Sequence, residues 1–253
     1  MTHFARVVLC SCLLACGSAA LHAHDIAVFP STDGGGVRLL VRFGHPGDYQ
    51  PALPAKLVTL DAIAPNGARR GLAGRLRPDG ITLVAPPVTD LVGTGTWIFT
   101  AYYDNGFFLR TADGRSVNTT RADYPTTEPV THNLKFGKAL HVVGTAGPGF
   151  DRVVGHRLEL VPKQDPFAVP PGRALEVLAL FDGKPLAKEA VFLYGEQDDA
   201  PTTQLSTDAA GIVRVPIDRA GRFLIGTEHD VPSRHPELAT RDAYAATLVF
   251  TRP

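Results

Sequence analysis

Glycines and prolines interrupt the apolar segments of this chain at short intervals along its whole length. The sequence has 25 glycines and 21 prolines among 253 residues. Because both residues favour turns and end helices, the apolar runs between them have the length of β-strands and not of amphipathic helices. The spacing predicts an all-β protein, built from two tandem β-sandwich domains.

Strand-like segments, separated by turns, occur in both halves of the sequence. In the first half we predict strands at 25–29, 37–43, 56–63, 81–85, 96–103, 107–111 and 139–143. In the second half we predict strands at 157–161, 174–181, 190–194, 204–207, 212–217, 222–227 and 245–250. Within the segment 212–217, the apolar residues Val213, Val215 and Ile217 recur at every second position, which predicts one buried face and one exposed face.

A stretch without strand periodicity, 145–155, separates the two halves. It contains the turn-forming sequence Gly147-Pro148-Gly149. We therefore predict an N-terminal β-sandwich over 24–145 and a C-terminal β-sandwich over 155–253. The short strands and turns of the C-terminal half are typical of an immunoglobulin-like or prealbumin-like sandwich.

The first half also contains an Asn-Gly turn signal between two aromatic-rich runs. Asp104-Asn105-Gly106 predicts a β-hairpin, because Asn-Gly accepts the positive φ angles of a type I′ turn. Trp97, Phe99 and Tyr103 in the preceding run are separated by two and four residues, so they lie on one face of a strand, and we expect them to anchor the first core.

Residues 1–23 have the layout of a secretory signal peptide, with Arg6, an apolar run and a small-residue stretch. Cleavage after Ala20 fits the small-residue rule better, whereas cleavage after Ala23 leaves His24 as the first residue. A lipobox-like segment would instead attach lipid to Cys16, but its Leu14 fits that pattern poorly. Export predicts a periplasmic protein, and no later segment has the roughly 18 apolar residues of a membrane-spanning helix.

Composition excludes several kinds of site from the exported chain. All three cysteines, at positions 10, 12 and 16, lie in the predicted signal peptide, and the single methionine is Met1. Thiolate and thioether metal ligands are therefore absent from the mature sequence. The chain has 25 basic and 25 acidic side chains, and this balance argues against a nucleic-acid partner.

Catalytic motifs are also absent from the sequence. It has no nucleophile elbow, no His-Glu-x-x-His helix, no phosphate-binding loop and no dinucleotide fingerprint. We therefore expect a binding protein and not an enzyme, with no catalytic residues and no organic cofactor.

Histidine is the residue type that suggests a binding site. If export leaves His24 at the N-terminus, its α-amino nitrogen and its ring nitrogen can chelate one ion, and both lose protons near neutral pH. Such ligands suit Ni(II), Co(II) and Cu(II), or Zn(II) in a tetrahedral site. Three further histidines are candidate metal ligands: His45, His141 and His229.

Several short motifs occur in order along the chain: Ala23-His24-Asp25, Gly44-His45-Pro46, Gly155-His156-Arg157-Leu158-Glu159, Asp182-Gly183-Lys184-Pro185-Leu186 and Thr207-Asp208-Ala209-Ala210-Gly211. Together they resemble a bacterial periplasmic family of domains of unknown function that is associated with nickel uptake, the nickel uptake substrate-specific region family. The resemblance implies an exported β-rich protein that binds nickel or cobalt beside a membrane transporter. It assigns family histidines to His24 and His229, fits His45 less closely and gives His141 no counterpart.

Two functions of different class follow from these observations. The first is a periplasmic transition-metal-binding accessory protein that delivers or sequesters the ion for a membrane uptake system. The alternative is a structural or interaction module that binds a protein or a glycan at the cell envelope. In that case Trp97, Tyr102 and Tyr103 would supply an aromatic contact surface.

Overall fold

The computed structural model describes residues 24–33, 35–91, 93–195 and 201–253. The predicted signal peptide, with Cys16 and both candidate cleavage sites, lies outside the described residues. Among the described residues, no helix has the length and apolar character needed to cross a membrane.

The described chain is built almost entirely from β-strands, which confirms the predicted all-β class. The first ten are β1 (Ile26–Asp33), β2 (Gly36–His45), β3 (Asp48–Gln50), β4 (Leu57–Ile63), β5 (Arg69–Gly71), β6 (Arg77–Asp79), β7 (Thr82–Val88), β8 (Gly95–Arg110), β9 (Ser116–Asn118) and β10 (Val130–Val143). The remainder are β11 (Leu158–Pro162), β12 (Arg173–Phe181), β13 (Lys184–Pro185), β14 (Ala190–Tyr194), β15 (Pro201–Ser206), β16 (Ile212–Ile217), β17 (Gly221–Pro232) and β18 (Arg241–Arg252). Two short 3-10 helices, Pro54–Lys56 and Ala73–Arg75, flank β4 and β5.

Three sheets form from these strands. The first sheet has the order β1-β2-β7-β6, with β3 also paired to β2. The central sheet has the order β15-β14-β17-β18-β10-β8-β4-β5, with β9 paired to β8. The third sheet has the order β11-β12-β13, with β16 paired to β12.

The central sheet lies between the other two and is buried on both faces. Phe99 and Val249 point towards the first sheet and belong to a core that includes the β1 and β2 side chains. The next residues along the same strands, Ile98 and Phe250, point towards the third sheet and belong to a second core. Because successive side chains of a strand alternate between faces, one set of strands serves both cores.

Hydrogen bonds join strands from the two halves of the sequence. Strand β10 of the first half pairs in parallel with β18 of the second half, from Thr131 opposite Arg241 to Ala139 opposite Val249. The predicted units 24–145 and 155–253 therefore share one sheet. Their core-forming strands are not separated into two independent pairs of sheets.

The predicted hairpin at Asp104-Asn105-Gly106 is wrong, because these residues lie inside the long strand β8. This strand pairs with β10 along its whole length, and the register shifts where Asn133 and Leu134 face Gly106 and Asp104. Asn105 is the extra residue of a β-bulge, and Gly106 takes a φ of 88° there. Both aromatic-rich runs pair with the uninterrupted strand β10. The Asn-Gly sequence therefore forms a β-bulge with a positive φ at Gly106, and not a hairpin turn.

The predicted core residues are buried. Trp97, Phe99 and Tyr103 all belong to the first core, so they stabilise the fold and do not form an exposed aromatic surface. Tyr102, on the opposite face of β8, is half-buried, and its ring stacks on that of Phe136 with centroids 5.0 Å apart. In β16, Val213, Val215 and Ile217 are buried as their alternation predicts.

Candidate functional site

The pairing of β1 with β2 brings two predicted ligands together. Ile26 pairs with Phe43 in this antiparallel ladder, and the Gly44 N–H donates a 2.9 Å hydrogen bond to the Asp25 carbonyl oxygen. The same register places His24 opposite His45. Their ring centroids are 5.6 Å apart, with the rings edge to face at 83°.

A tight turn after β2 adds a carboxylate to this pair. His45 pairs with Asp48 of β3, and Oδ2 of Asp48 lies 3.3 Å from Nε2 of His24. Gly44 is required for this approach: its φ is 116°, and a Cβ atom there would lie 2.5 Å from the Asp48 carbonyl oxygen. The turn therefore holds the Asp48 carboxylate beside the His24 ring.

A second carboxylate, that of Asp25, lies beneath the histidine pair. Its side chain is buried, and Oδ2 lies 3.8 Å from Nε2 of His45. Oδ1 has no hydrogen-bond partner among the described residues. Burial raises the pKa of Asp25 well above its usual value, and the Glu228 carboxylate adds to this effect. We call His24, Asp25, His45 and Asp48 the N-terminal cluster.

Close packing against the central sheet fixes the position of the N-terminal cluster. Thr247 Oγ1 donates a 2.7 Å hydrogen bond to the Ile26 carbonyl oxygen. Gly137 in β10 permits the approach, since a Cβ atom there would lie 3.0 Å from the same oxygen. The ring of Tyr194 stacks on that of His45, with centroids 5.1 Å apart. The site is thus built by residues from distant parts of the chain.

A buried lysine lies behind the N-terminal cluster. The side chain of Lys135 in β10 is 2% exposed, and its Nζ has no hydrogen-bond partner among the described residues. Burial lowers the pKa of Lys135, while the carboxylates of Asp25, Glu228 and Asp230 oppose that shift. Mixed charges therefore meet in a low-dielectric environment, where electrostatic interactions are stronger than in water.

A cavity of about 710 Å³ opens beside these residues, and we call it the polar cavity because charged side chains line it. His24, Lys135, Glu228 and Asp230 all contribute to its lining. This volume is within the range of roughly 300–1,000 Å³ that is typical of small-ligand sites. The cavity gives a solute access to the His24 ring and to the buried charges behind it.

The other two predicted ligands lie elsewhere. His141 follows Lys135 by six residues on the same face of β10, which corresponds to about 20 Å along a strand. Its Nε2 lies 3.4 Å from Thr32 Oγ1, and burial lowers its pKa. His229 lies on the opposite face of the central sheet, where its Nδ1 is 2.7 Å from Glu189 Oε2 and its ring packs on Phe181. Only His24 and His45 of the predicted set share one site.

The side chains of the N-terminal cluster do not form a complete metal centre by themselves. Among the described residues, no group of three or more His, Asp or Glu side chains is arranged to hold a metal ion. The two rings and Asp48 would supply nitrogen and oxygen donors, which suit the late divalent metals. A metal chelate at this place therefore requires a further donor. If His24 is the N-terminal residue of the mature protein, its α-amino nitrogen can be that donor, because it belongs to the same residue as the ring.

Sequence reasoning missed Asp48, Lys135 and Glu228. Asp48 follows the Gly-His-Pro-Gly turn after β2, so its place near His45 was accessible from the turn pattern. Lys135 lies between Leu134 and Phe136 in a segment that was not predicted as a strand, and nothing local indicates that its side chain is buried.

Most of the chain, including this region, matches one family model. Residues 21–231 match the family model described as a domain of unknown function, DUF4198. The chain belongs to the DUF4198 family. The match includes the whole N-terminal cluster, Lys135 and Glu228.

Two further similarities accompany the DUF4198 match. An uncharacterized protein of Haemophilus influenzae is 27% identical over 186 residues, which cover 73% of this chain and 72% of that protein. A crystal structure of a tetra-tandem repeat in the extending region of a large adhesion protein aligns over 90% of this chain at 10% identity, with a TM-score of 0.25. The chain spans about half of that structure, 49% of its length.

Proposed function

We propose that this protein binds a divalent transition metal ion at the N-terminal cluster and acts as a periplasmic accessory protein for a membrane uptake system. Ni(II), Co(II) and Cu(II) are the candidate cargoes, and Zn(II) is a further one. The observation that carries the proposal is the β1–β2 register, which sets His24 opposite His45 with ring centroids 5.6 Å apart.

The proposed ligands are nitrogen and oxygen atoms. Cleavage after Ala23 would give His24 a free α-amino group, which can chelate an ion together with the ring of the same residue. His45 would add a second imidazole and Asp48 a carboxylate, since Asp48 Oδ2 already lies 3.3 Å from His24 Nε2. Two nitrogens from one residue favour the tetragonal geometry of Cu(II) and Ni(II), while a tetrahedral arrangement would favour Zn(II).

Uptake and release are consistent with the position of the cluster. His24 has intermediate exposure and lines the polar cavity, whereas His45 and Asp25 are buried beneath it. An ion could therefore reach the exposed His24 from solvent and be passed to a transporter without unfolding of the sheets. The nickel-uptake association of the resembled family supports the same cargo class.

The proposal is tested on protein exported through its own signal peptide and purified without a tag at the N-terminus. Native mass spectrometry would measure its mass and retained ions while Ni(II), Co(II), Cu(II) and Zn(II) compete. We expect a chain that begins at His24 and retains one ion. His45→Gln should weaken binding by at least roughly tenfold, through loss of one imidazole ligand. The matched control is His235→Gln, because His235 is exposed and remote in sequence from the cluster.

A second variant isolates the α-amino ligand. One alanine placed between the cleavage site and His24 keeps every side chain of the cluster but moves the amino group away. We expect this extended chain to lose most of its affinity and to retain its far-UV circular dichroism spectrum. Absence of binding by the authentic chain at roughly 10 µM metal would overturn the proposal.

A further inference from the structure

A second cavity lies at the other end of the interface between the first and central sheets. Its volume is about 710 Å³, again within the range of roughly 300–1,000 Å³ that is typical of small-ligand sites. Strands β1, β2, β10, β17 and β18 contribute to its lining, together with Phe167 from the loop after β11. We call it the apolar cavity. The N-terminal cluster contributes no residue to it.

Much of the lining is hydrocarbon. Phe29 and Leu40 from the first sheet, Val249 from the central sheet and Phe167 from the loop all lie around the space. Burying a methylene group against such side chains contributes about 0.8 kcal/mol. A ligand with an alkyl chain would therefore gain free energy with each methylene group that enters.

The charged residues of the apolar cavity are all of one sign. Arg42, Arg222 and Arg252 line it, and the described lining includes no aspartate and no glutamate. A free carboxylate on Pro253, which also lines the cavity, would offset one of these charges and leave two. Burial lowers the pKa of the fourth titratable group, His141, and so disfavours a positive charge on its ring.

Contacts with the protein orient the three arginines, and Nη2 of Arg252 donates a hydrogen bond to the Val169 carbonyl oxygen. The guanidinium carbon of Arg42 lies 5.1 Å from the centroid of the Tyr49 ring, and that of Arg222 lies 5.0 Å from the Phe29 centroid. Stacking on a ring orients a guanidinium and leaves its in-plane N–H groups free to bond. The Nε atoms of Arg42 and Arg252 are buried without a hydrogen-bond partner among the described residues. Because these Nε atoms are buried, a bound carboxylate would be held through the Nη groups of the arginines.

We propose that the apolar cavity binds a long-chain fatty acid, with its carboxylate at the arginines and its alkyl chain along the apolar wall. Charge selects the class of ligand: the surplus of arginine repels metal ions and cationic peptides, and attracts an anion. The apolar wall selects further, because inorganic phosphate or a small polar acid would leave it without a partner. A bidentate arginine–carboxylate contact is the strongest polar interaction that this lining offers.

The test measures binding of radiolabelled palmitate to the full exported chain by equilibrium dialysis, with palmitic acid methyl ester as the uncharged probe. We expect palmitate to bind with a dissociation constant of roughly 10 µM or lower, and the ester at least about tenfold more weakly. Arg222→Gln should weaken palmitate binding by roughly tenfold, through loss of a charge-assisted hydrogen bond. Arg115→Gln is the matched control, because Arg115 is exposed and pairs with Asp113 away from the cavity.

A cavity-filling variant guards against indirect effects. Thr251 is exposed and lines the cavity, so Thr251→Trp should occupy the space with little strain on the fold. We expect it to abolish palmitate binding while the melting temperature stays unchanged. Equal affinity for palmitate and its methyl ester would overturn the proposal, as would palmitate binding that survives both Arg222→Gln and Thr251→Trp. Metal binding at the N-terminal cluster is measured separately, so either proposal can fail without the other.

Discussion

Two lysines of β10, three residues apart, are both buried, but they face opposite sheets and differ in their hydrogen bonds. Lys138 faces the third sheet and forms an ion pair with Glu159, and its Nζ also donates to the Arg152 carbonyl oxygen. Lys135 faces the first sheet, near Asp25 and Glu228, and its Nζ has no hydrogen-bond partner among the described residues. The Lys138 ammonium has two acceptors within the protein, whereas Lys135 lines a cavity that is open to a solute.

The difference separates a charge that is bonded within the fold from one that lies beside a cavity. Glu159 accepts hydrogen bonds from the N–H groups of Val154, Gly155 and His156 in addition to its contact with Lys138. It therefore ties the segment before β11 to the central sheet. Near Lys135, by contrast, Oδ1 of Asp25 has no hydrogen-bond partner among the described residues, and Lys135 lines the polar cavity. Incomplete bonding next to a cavity is typical of binding sites.

The largest expected effect is the loss of the Glu159 carboxylate. Glu159→Leu leaves Lys138 buried without its partner and removes the acceptor of three backbone N–H groups. Breaking a buried ion pair in this way destabilises proteins by about 3–5 kcal/mol. Urea unfolding should show a loss of that size, whereas Glu176→Ala, which breaks an exposed pair with Arg214, should cost less than about 1 kcal/mol. Equal losses in the two variants would remove the distinction.

An intermediate effect is expected from pH, through His156. Burial, with Lys138 and Arg69 nearby, lowers the pKa of His156 to about 3. The unfolded chain binds a proton at this residue below about pH 6.5, whereas the folded chain does not until about pH 3. Its contribution to stability is therefore complete above pH 6.5 and falls by about 1.4 kcal/mol per pH unit below it.

The measurement is the free energy of unfolding between pH 7 and pH 4, in the wild type and in His156→Gln. We expect the variant to have a shallower pH dependence, so that the difference between the two curves changes as the pH falls below about 6.5. His235→Gln serves as the control, because His235 is exposed and its substitution should leave the slope unchanged. Parallel curves for His156→Gln and the wild type would show that this ring is not held neutral by its surroundings.

The smallest expected change in stability is that of Lys135→Met. The Lys135 ammonium makes no hydrogen bond with the described residues, so an apolar side chain of similar length should alter the free energy of unfolding by less than about 1 kcal/mol. Lys138→Met, its matched counterpart, should cost about 3 kcal/mol. Removal of the Lys135 charge should also raise metal affinity by roughly tenfold, since like charges repel in a low-dielectric site. Unchanged affinity in Lys135→Met would separate Lys135 from the N-terminal cluster.

Much of the local structure was predictable from the sequence. Most predicted strands overlap observed ones, because period-2 alternation and turn residues are local signals. The largest differences are in β10, β17 and β18, which extend well beyond the predicted segments. Their added residues include polar side chains such as His132 and Asp230. Pairing with neighbouring strands extends them, and polar residues on these strands carry no local sign of that pairing.

The candidate site was predictable only in part. His24 and His45 were singled out by ligand chemistry. They meet because the pairing of β1 with β2, two strands that follow each other along the chain, places them opposite each other. His141 and His229 were singled out on the same grounds, but alternation along β17 and distance along β10 place them elsewhere. Residue type identifies possible ligands, whereas the geometry of the sheets decides which of them meet.

By itself, the sequence determined the all-β class, the approximate strands and the core positions of Trp97, Phe99 and Tyr103, because these follow from spacing along one segment. Only the tertiary structure decided that β10 pairs in parallel with β18 and that both halves share a central sheet. That pairing places Lys135 and Glu228 beneath Asp25. The alternation of apolar and polar residues predicts which face of a strand is buried, but it does not predict which strand pairs with which. Strand pairing depends on the simultaneous burial of both faces of the central sheet.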